Sequence, residues 1–144
     1  MKDKPYNGEW NDIDTAAYDL SARLFRSVKN MLNVHMKLHA KEQVHQGDIF
    51  LFNHFSRFET FIPQYLIYEK TGHYCWSIAS SEFFTADTVL AKYLRNVGVI
   101  PHDHSRLFPI LAEQILHGRK VIISPEGGMV KDRRVMDRRG KYSI

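Results

Sequence analysis

Residues 97–128 read VGVIPHDHSRLFPILAEQILHGRKVIISPEGG. Val99 to Pro101 is a short apolar run, and Lys120 to Ser124 is another. Between them, Arg106 to His117 has helical spacing, and Gly98 and Gly118 punctuate its flanks. Two apolar strands joined through one helix form a βαβ unit, in which the strands run parallel.

Toward the N-terminus the same alternation continues. Asp48 to Phe52 reads as a short buried strand, followed by a helix from about Phe58 to Lys70 that Gly72 ends. Tyr74 to Ala79 is a further strand, and a helix from about Ala86 to Asn96 leads back to Gly98. The fold class is therefore α/β, a mainly parallel sheet with flanking helices. Ahead of it, Asp14 to about Ala40 has an amphipathic helical pattern carried by Ala17, Leu20, Leu24, Val28, Met31 and Leu38. Asp12 or Asp14 can cap its start, and the stripe is expected to pack on its own domain in preference to a lipid surface, the alternative such a helix leaves open. Three regions follow: a helical region 1–44, a core 45–130 and a basic tail 131–144.

Composition bounds what such a chain can do. It has 144 residues, 44% of them hydrophobic, enough for one core. The single cysteine, Cys75, excludes an internal disulfide and suits a reducing compartment; beside Trp76 it reads as a buried structural thiol. The first residues show no signal peptide, and no apolar run reaches the ~18 residues of a membrane span. Membrane contact is thus expected from the surface, on the cytoplasmic face. Residues 131–141 hold six basic and two acidic side chains, which accounts for the whole net charge of +4. Such a segment suits phosphate or an anionic bilayer, or is a solvated tail. No nucleic-acid-binding motif accompanies it.

Ligands of parallel α/β sheets bind beyond the carboxyl ends of the strands. There the sequence gathers Asn53-His54, then His102-Asp103-His104-Ser105-Arg106, then Pro125-Glu126-Gly127-Gly128. A carboxylate beside an imidazole fixes its tautomer and equips the other ring nitrogen as a general base, which Glu59 can do for His54. Ser56-Arg57-Phe58-Glu59 equally fits a capping box, so both roles are open to Glu59. Glycines 127 and 128 let backbone amides approach a ligand, and Glu126 can accept hydrogen bonds from a polyol. His102-Asp103-His104 invites a metal, but adjacent side chains diverge and no second His/Cys group has ligand spacing. Arg106 can instead fork onto a phosphate. His35, His39, His45, His73 and His117 read as surface residues. No nucleophile elbow or Walker loop is present.

Asn53-His54-x4-Glu59, Gly98-Val99-Ile100-Pro101 and Pro125-Glu126-Gly127, in this order, resemble the boxes of the glycerol-3-phosphate and 1-acylglycerol-3-phosphate (lysophosphatidate) acyltransferase family. The resemblance covers about residues 45 to 130. It implies an O-acyltransferase of phospholipid synthesis or remodelling in which His54 is the general base, oriented by Glu59. Asn53, Arg106, Glu126, Gly127 and Gly128 would bind a glycerol-phosphate or lysophospholipid acceptor. The donor would be acyl-CoA or acyl-carrier protein, with no cofactor, no metal and no covalent acyl-enzyme.

The chain departs from the family pattern in four ways. Glu59 replaces the usual Asp, and Ser124 stands where Phe is usual. His104 occupies the second box's arginine position, with Arg106 two residues on and Arg133 or Arg134 as substitutes. The chain also ends eighteen residues past Glu126 without the family's later proline-containing strand. It is therefore expected to be an N-terminal catalytic portion with an incomplete domain. Two rival readings are a non-catalytic lipid-binding domain of the same fold and a metal-dependent hydrolase built on His54, His102 and His104. Thioester consumption tests the first rival, and chelator sensitivity the second.

Overall fold

The computed structural model describes residues 12–37, 39, 43–52 and 61–125. Its four strands are β1 (Ile49–Leu51), β2 (Cys75–Ala79), β3 (Val99–Pro101) and β4 (Lys120–Ile123). The helices are α1 (Thr15–Met31), α2 (Phe61–Thr71), α3 (Val89–Asn96) and α4 (Leu107–Leu116). Short 3-10 turns at Val44–Gln46 and Ser81–Phe84 complete the order. Every strand pairing is parallel, and the sheet order is β1-β4-β2-β3. The expected α/β architecture with flanking helices, preceded by an N-terminal helix, is the one observed.

Alternation along β2 divides the core. Cys75 packs with Ile67 of α2 and Ile122 of β4, and Ser77 bonds Gln64 of α2. Trp76 points the other way, into a cluster with Leu107, Ile110 and Leu111 of α4 and Val121 of β4. One face of the sheet is thus covered by α2, and the opposite face by α4. The burial of Cys75 is complete, and it pushes the thiol up to about 12 from its ordinary value of 9.0.

The structure corrects three expectations of extent and burial and a fourth of packing: the apolar stripe of α1 is exposed at Leu20, Leu24, Val28 and Met31, and the face carrying Tyr18 and Ala22 packs inward instead. The first helix stops at Met31, well short of Ala40, because Asn33 takes φ 54. The amides of Asn33 and Val34 then bond Asn30 O and Lys29 O, closing a Schellman motif in which Asn stands where glycine is commoner. Asp14 does cap the start, accepting from the Ala17 amide at 3.1 Å. Secondly, α3 begins at Val89 because the Thr88 hydroxyl caps the Ala91 amide. Thirdly, β1 is not a buried strand. Among the described residues it pairs only with β4, and Ile49 is 53% and Leu51 67% exposed.

Two residues tie the layers together. Gly98 opens β3 at φ +77, where a Cβ would stand 3.0 Å from Cys75 O and 2.8 Å from Ile13 Cδ1. Glycine is required there both for conformation and for space. Gln64, buried on α2, donates to Cys75 O and Val97 O at 2.7 Å each, and its carbonyl accepts from the Ser77 hydroxyl. It thereby satisfies backbone at β2 and at the α3–β3 junction.

Gln64→Leu keeps the volume but strands those partners, so it should lower stability by about 2–4 kcal/mol in chemical denaturation. With its thiol pushed up and its side chain enclosed, Cys75 should resist alkylation at pH 8 in the native chain. It should react promptly once denaturant unfolds it. Linkage has the same sign: the neutral thiol is favoured in the fold. Its contribution is whole below pH 9.0 and is lost as pH rises toward about 12, so the denaturation midpoint should fall with pH over that window.

Candidate functional site

The carboxyl ends of all four strands share one edge of the sheet, because every pairing is parallel. Leu51 and Ile123 are register partners, and the Phe52 amide extends the ladder to Ile123 O at 3.0 Å. In the sequence, His54 follows Leu51 by three residues and Glu126 follows Ile123 by three. The chain therefore enters these two segments from the ends of neighbouring strands. Asn53, His54, Glu59, Glu126, Gly127 and Gly128 themselves lie outside the described residues, as do Arg133 and Arg134. Arg106 is described: it is exposed, and it stands at the cap position of α4 just past β3.

Beyond β2 and β3 the edge carries a built group of side chains. The His102 amide bonds Ala79 O at 3.0 Å, which holds the two loops side by side. Ser81, at the start of the turn after β2, donates its hydroxyl proton to Asp103 and lies 3.2 Å from His102 Nδ1. Having given its own proton to the carboxylate, Ser81 Oγ can only accept from His102. The pairing therefore calls for a proton on His102 Nδ1 and leaves the Nε2 lone pair of the neutral ring available. His102 is exposed, whereas Ser81 and Asp103 are half-buried, so the supporting pair is packed and the imidazole faces solvent.

His104 behaves differently from its neighbour. It is buried, and its Nδ1 accepts from the Arg106 amide at 3.1 Å, inside the turn that starts α4. The His102-Asp103-His104 triplet thus divides between an exposed imidazole, a carboxylate bound to Ser81 and a structural histidine. Among the described residues no three or more His, Cys, Asp or Glu side chains are grouped to hold a metal ion. The remaining described histidines, 35, 39, 45, 73 and 117, are exposed as expected.

Sequence reasoning missed Ser81. The loops after β1, β3 and β4 hold conspicuous titratable residues, and the loop after β2 begins with plain Ser80-Ser81. The available signal was positional: a hydroxyl directly after a parallel strand stands on the same edge as the others.

The Acyltransferase family model matches residues 35–142, about three quarters of the chain and a span containing every site residue named from the sequence. No curated protein and no solved structure matches the chain.

The hydrogen-bond relay makes a spectroscopic prediction. Imidazole nitrogen-15 shifts of His102 in the neutral ring should report the Nδ1-protonated tautomer. Ser81→Ala should return it toward the Nε2-protonated form usual in solution, with the melting temperature little changed.

Proposed function

We propose, from the premise that the chain belongs to the acyltransferase family, that it transfers a fatty acyl group to the hydroxyl of a glycerol-phosphate or lysophospholipid. The donor is a thioester, acyl-CoA or acyl-carrier protein. His54 removes the proton from the acceptor hydroxyl as that oxygen attacks the thioester carbonyl, and Glu59 holds the imidazole in the productive tautomer. The thiol leaves, the proton passes to it, and an ester remains. Asn53, Glu126, Gly127, Gly128 and Arg106 line the acceptor site, Arg106 against its phosphate.

The observation that carries this reading is the register of β1 with β4. Partnering of Leu51 with Ile123 sends the His54 and Glu126 segments out from adjacent strand ends, as a base and an acceptor site serving one reaction require. The chemistry needs little else. A thioester is already activated, so orientation plus one base suffices, without a cofactor. The working site on this reading is the cytoplasmic face of a membrane, where lysophospholipid acceptors reside.

Labelled acyl-CoA offered with glycerol-3-phosphate or a panel of lysophospholipids is the direct test. Wild type should transfer to at least one acceptor, and His54→Ala should lose about 10²–10⁴-fold in kcat. Glu59→Gln preserves a capping box but not the charged pair, and should fall at least about tenfold if Glu59 orients the base. Near-normal turnover of Glu59→Gln would reduce that residue to a helix cap. Wild type inert with both CoA and carrier-protein thioesters would sink the reading.

A further inference from the structure

The Ser81–His102–Asp103 group takes no part in the transfer chemistry assigned above, yet it stands on the same carboxyl edge and is built as a unit. Asp103 holds the Ser81 hydroxyl proton, so Ser81 Oγ turns a lone pair to His102 Nδ1, 3.2 Å away. That nitrogen must carry the proton, and Nε2 of the neutral ring is left bare. Ser81 and Asp103 are half-buried while His102 is exposed, so the packed pair dictates what the imidazole offers outward. It offers a lone pair. The tautomer usual in solution would offer an N–H instead.

Distance limits what can reach it. In the order β1-β4-β2-β3, the loop that carries His102 starts three strand spacings from the end of β1, roughly 14 Å. The chain enters the His54 segment from the end of β1. A reacting hydroxyl at that end is therefore out of reach of His102, which is neither the base nor its partner. The far end of a lysophospholipid is not. Eight bonds separate its free central hydroxyl from the nitrogen of an ethanolamine headgroup, roughly 10 Å when extended. The difference is no longer than one histidine side chain. A phosphate monoester ends at its phosphate, well short of that loop.

The neighbouring charges agree with this order. Arg106, exposed at the cap of α4 four residues past His102, takes the phosphate on the reading above. Around the imidazole itself the charges are negative: Asp103 through Ser81, and Glu82, exposed, next to Ser81 in the chain. A bare Nε2 beside carboxylates repels a second phosphate and attracts an N–H or O–H donor.

We infer that His102, held by Ser81 and Asp103 with its Nε2 lone pair outward, reads the headgroup of the lysophospholipid. It selects one that ends in a hydrogen-bond donor, a primary ammonium or a hydroxyl, over a methylated ammonium or a bare phosphate. The identity of the ligand rests on the acyltransferase reading. A binding measurement without turnover keeps the two separable.

The test uses lysophosphatidylethanolamine, lysophosphatidylglycerol, lysophosphatidylcholine and lysophosphatidate of one acyl chain, in one detergent, at pH 8. It reads ratios of kcat/KM, in which general damage to a variant cancels. Wild type should favour the ethanolamine or glycerol headgroup over choline by about tenfold, as one added hydrogen bond gives. The larger of the two ratios names the donor. His102→Phe keeps a ring without the lone pair and should bring both ratios near one. Ser81→Ala keeps the imidazole but releases its tautomer, and should cut the ratios at least about threefold. A residue that only packed the loop would not move a ratio. In parallel, the nitrogen-15 shift of His102 Nε2 is followed as glycerophosphoethanolamine, glycerophosphoglycerol or glycerophosphocholine is added. It should move with a donor headgroup and stay with choline. Equal ratios in wild type, a preference for lysophosphatidate, or ratios unchanged in either variant overturn the inference and leave the transferase. So does a shift that follows all three glycerophosphodiesters alike. Wild type inert toward every lipid yet showing the selective shift would remove the transferase and leave the headgroup site. Should a variant fail to fold, the wild-type ratios and shift decide the matter alone.

Discussion

The double pairing of β4 is the contact on which the rest of the arrangement depends. β4 is the last described strand in the chain, yet it lies between β1 and β2 and bonds both. To reach that place the chain must return from β3 across β2, which it does through α4. Right-handed crossovers in opposite directions put their helices on opposite faces of the sheet. That is why α4 covers one face while α2 and α3 cover the other. The Ser81–His102–Asp103 group sits where the loops leaving β2 and β3 meet, bonded to one another at the carboxyl edge.

The insertion has its own lock. Lys120, at the start of β4, is almost fully enclosed, and its ammonium donates to Asp48 at 3.1 Å and to His45 O at 3.3 Å, while the Val121 amide bonds Asp48 O. Asp48 is more than half exposed, so solvent screens the pair and its net contribution to stability is small. Its value lies in register. A buried ammonium tolerates few positions, and a slip of one residue would turn Ile122 away from Cys75 and Ile67. The same register aligns Leu51 with Ile123, so a contact at the amino edge of the sheet fixes the alignment at the edge where chemistry is proposed.

Much of this was legible in the sequence, and the misses have identifiable causes. All four strands and the ends of α2, α3 and α4 at glycines 72, 98 and 118 follow from apolar runs and breakers, because those signals are local. The early stop of α1 depends on Asn33 accepting a left-handed backbone, which glycine announces and asparagine does not. Strand order was not legible, since nothing in crossover length says whether β4 returns past β2. Without that order, β1 could not be recognised as a margin. The direction of α1's stripe was misread for a related reason. Periodicity finds an apolar arc but cannot weigh it against a face of tyrosine, alanine and phenylalanine, and here the aromatic face packs inward. At the site, charge and histidine drew the reading to three loops, leaving Ser81 unnoticed and treating His102 and His104 alike. Burial separates those two, and burial is a property of the folded turn.

On the proposed reading, the two faces of α1 connect architecture to substrate. A lysophospholipid acceptor has its acyl chain in the bilayer and its free hydroxyl near the headgroups, so lifting it into water would expose that chain at roughly 0.8 kcal/mol per methylene. An enzyme that lets the chain stay put avoids that cost, provided its reactive edge meets the interface. Parallel strands deliver the loops to one edge; α1, whose contacts with α2 progress from Asp19–Tyr68 to Phe25–Tyr65 and so run antiparallel to it, carries an exposed apolar stripe toward the same edge. The inward bonds of Asp19, Ser21 and Arg26 set the helix's rotation, and rotation decides which residues face out. The polar contacts that hold α1 to the domain therefore also aim its apolar side.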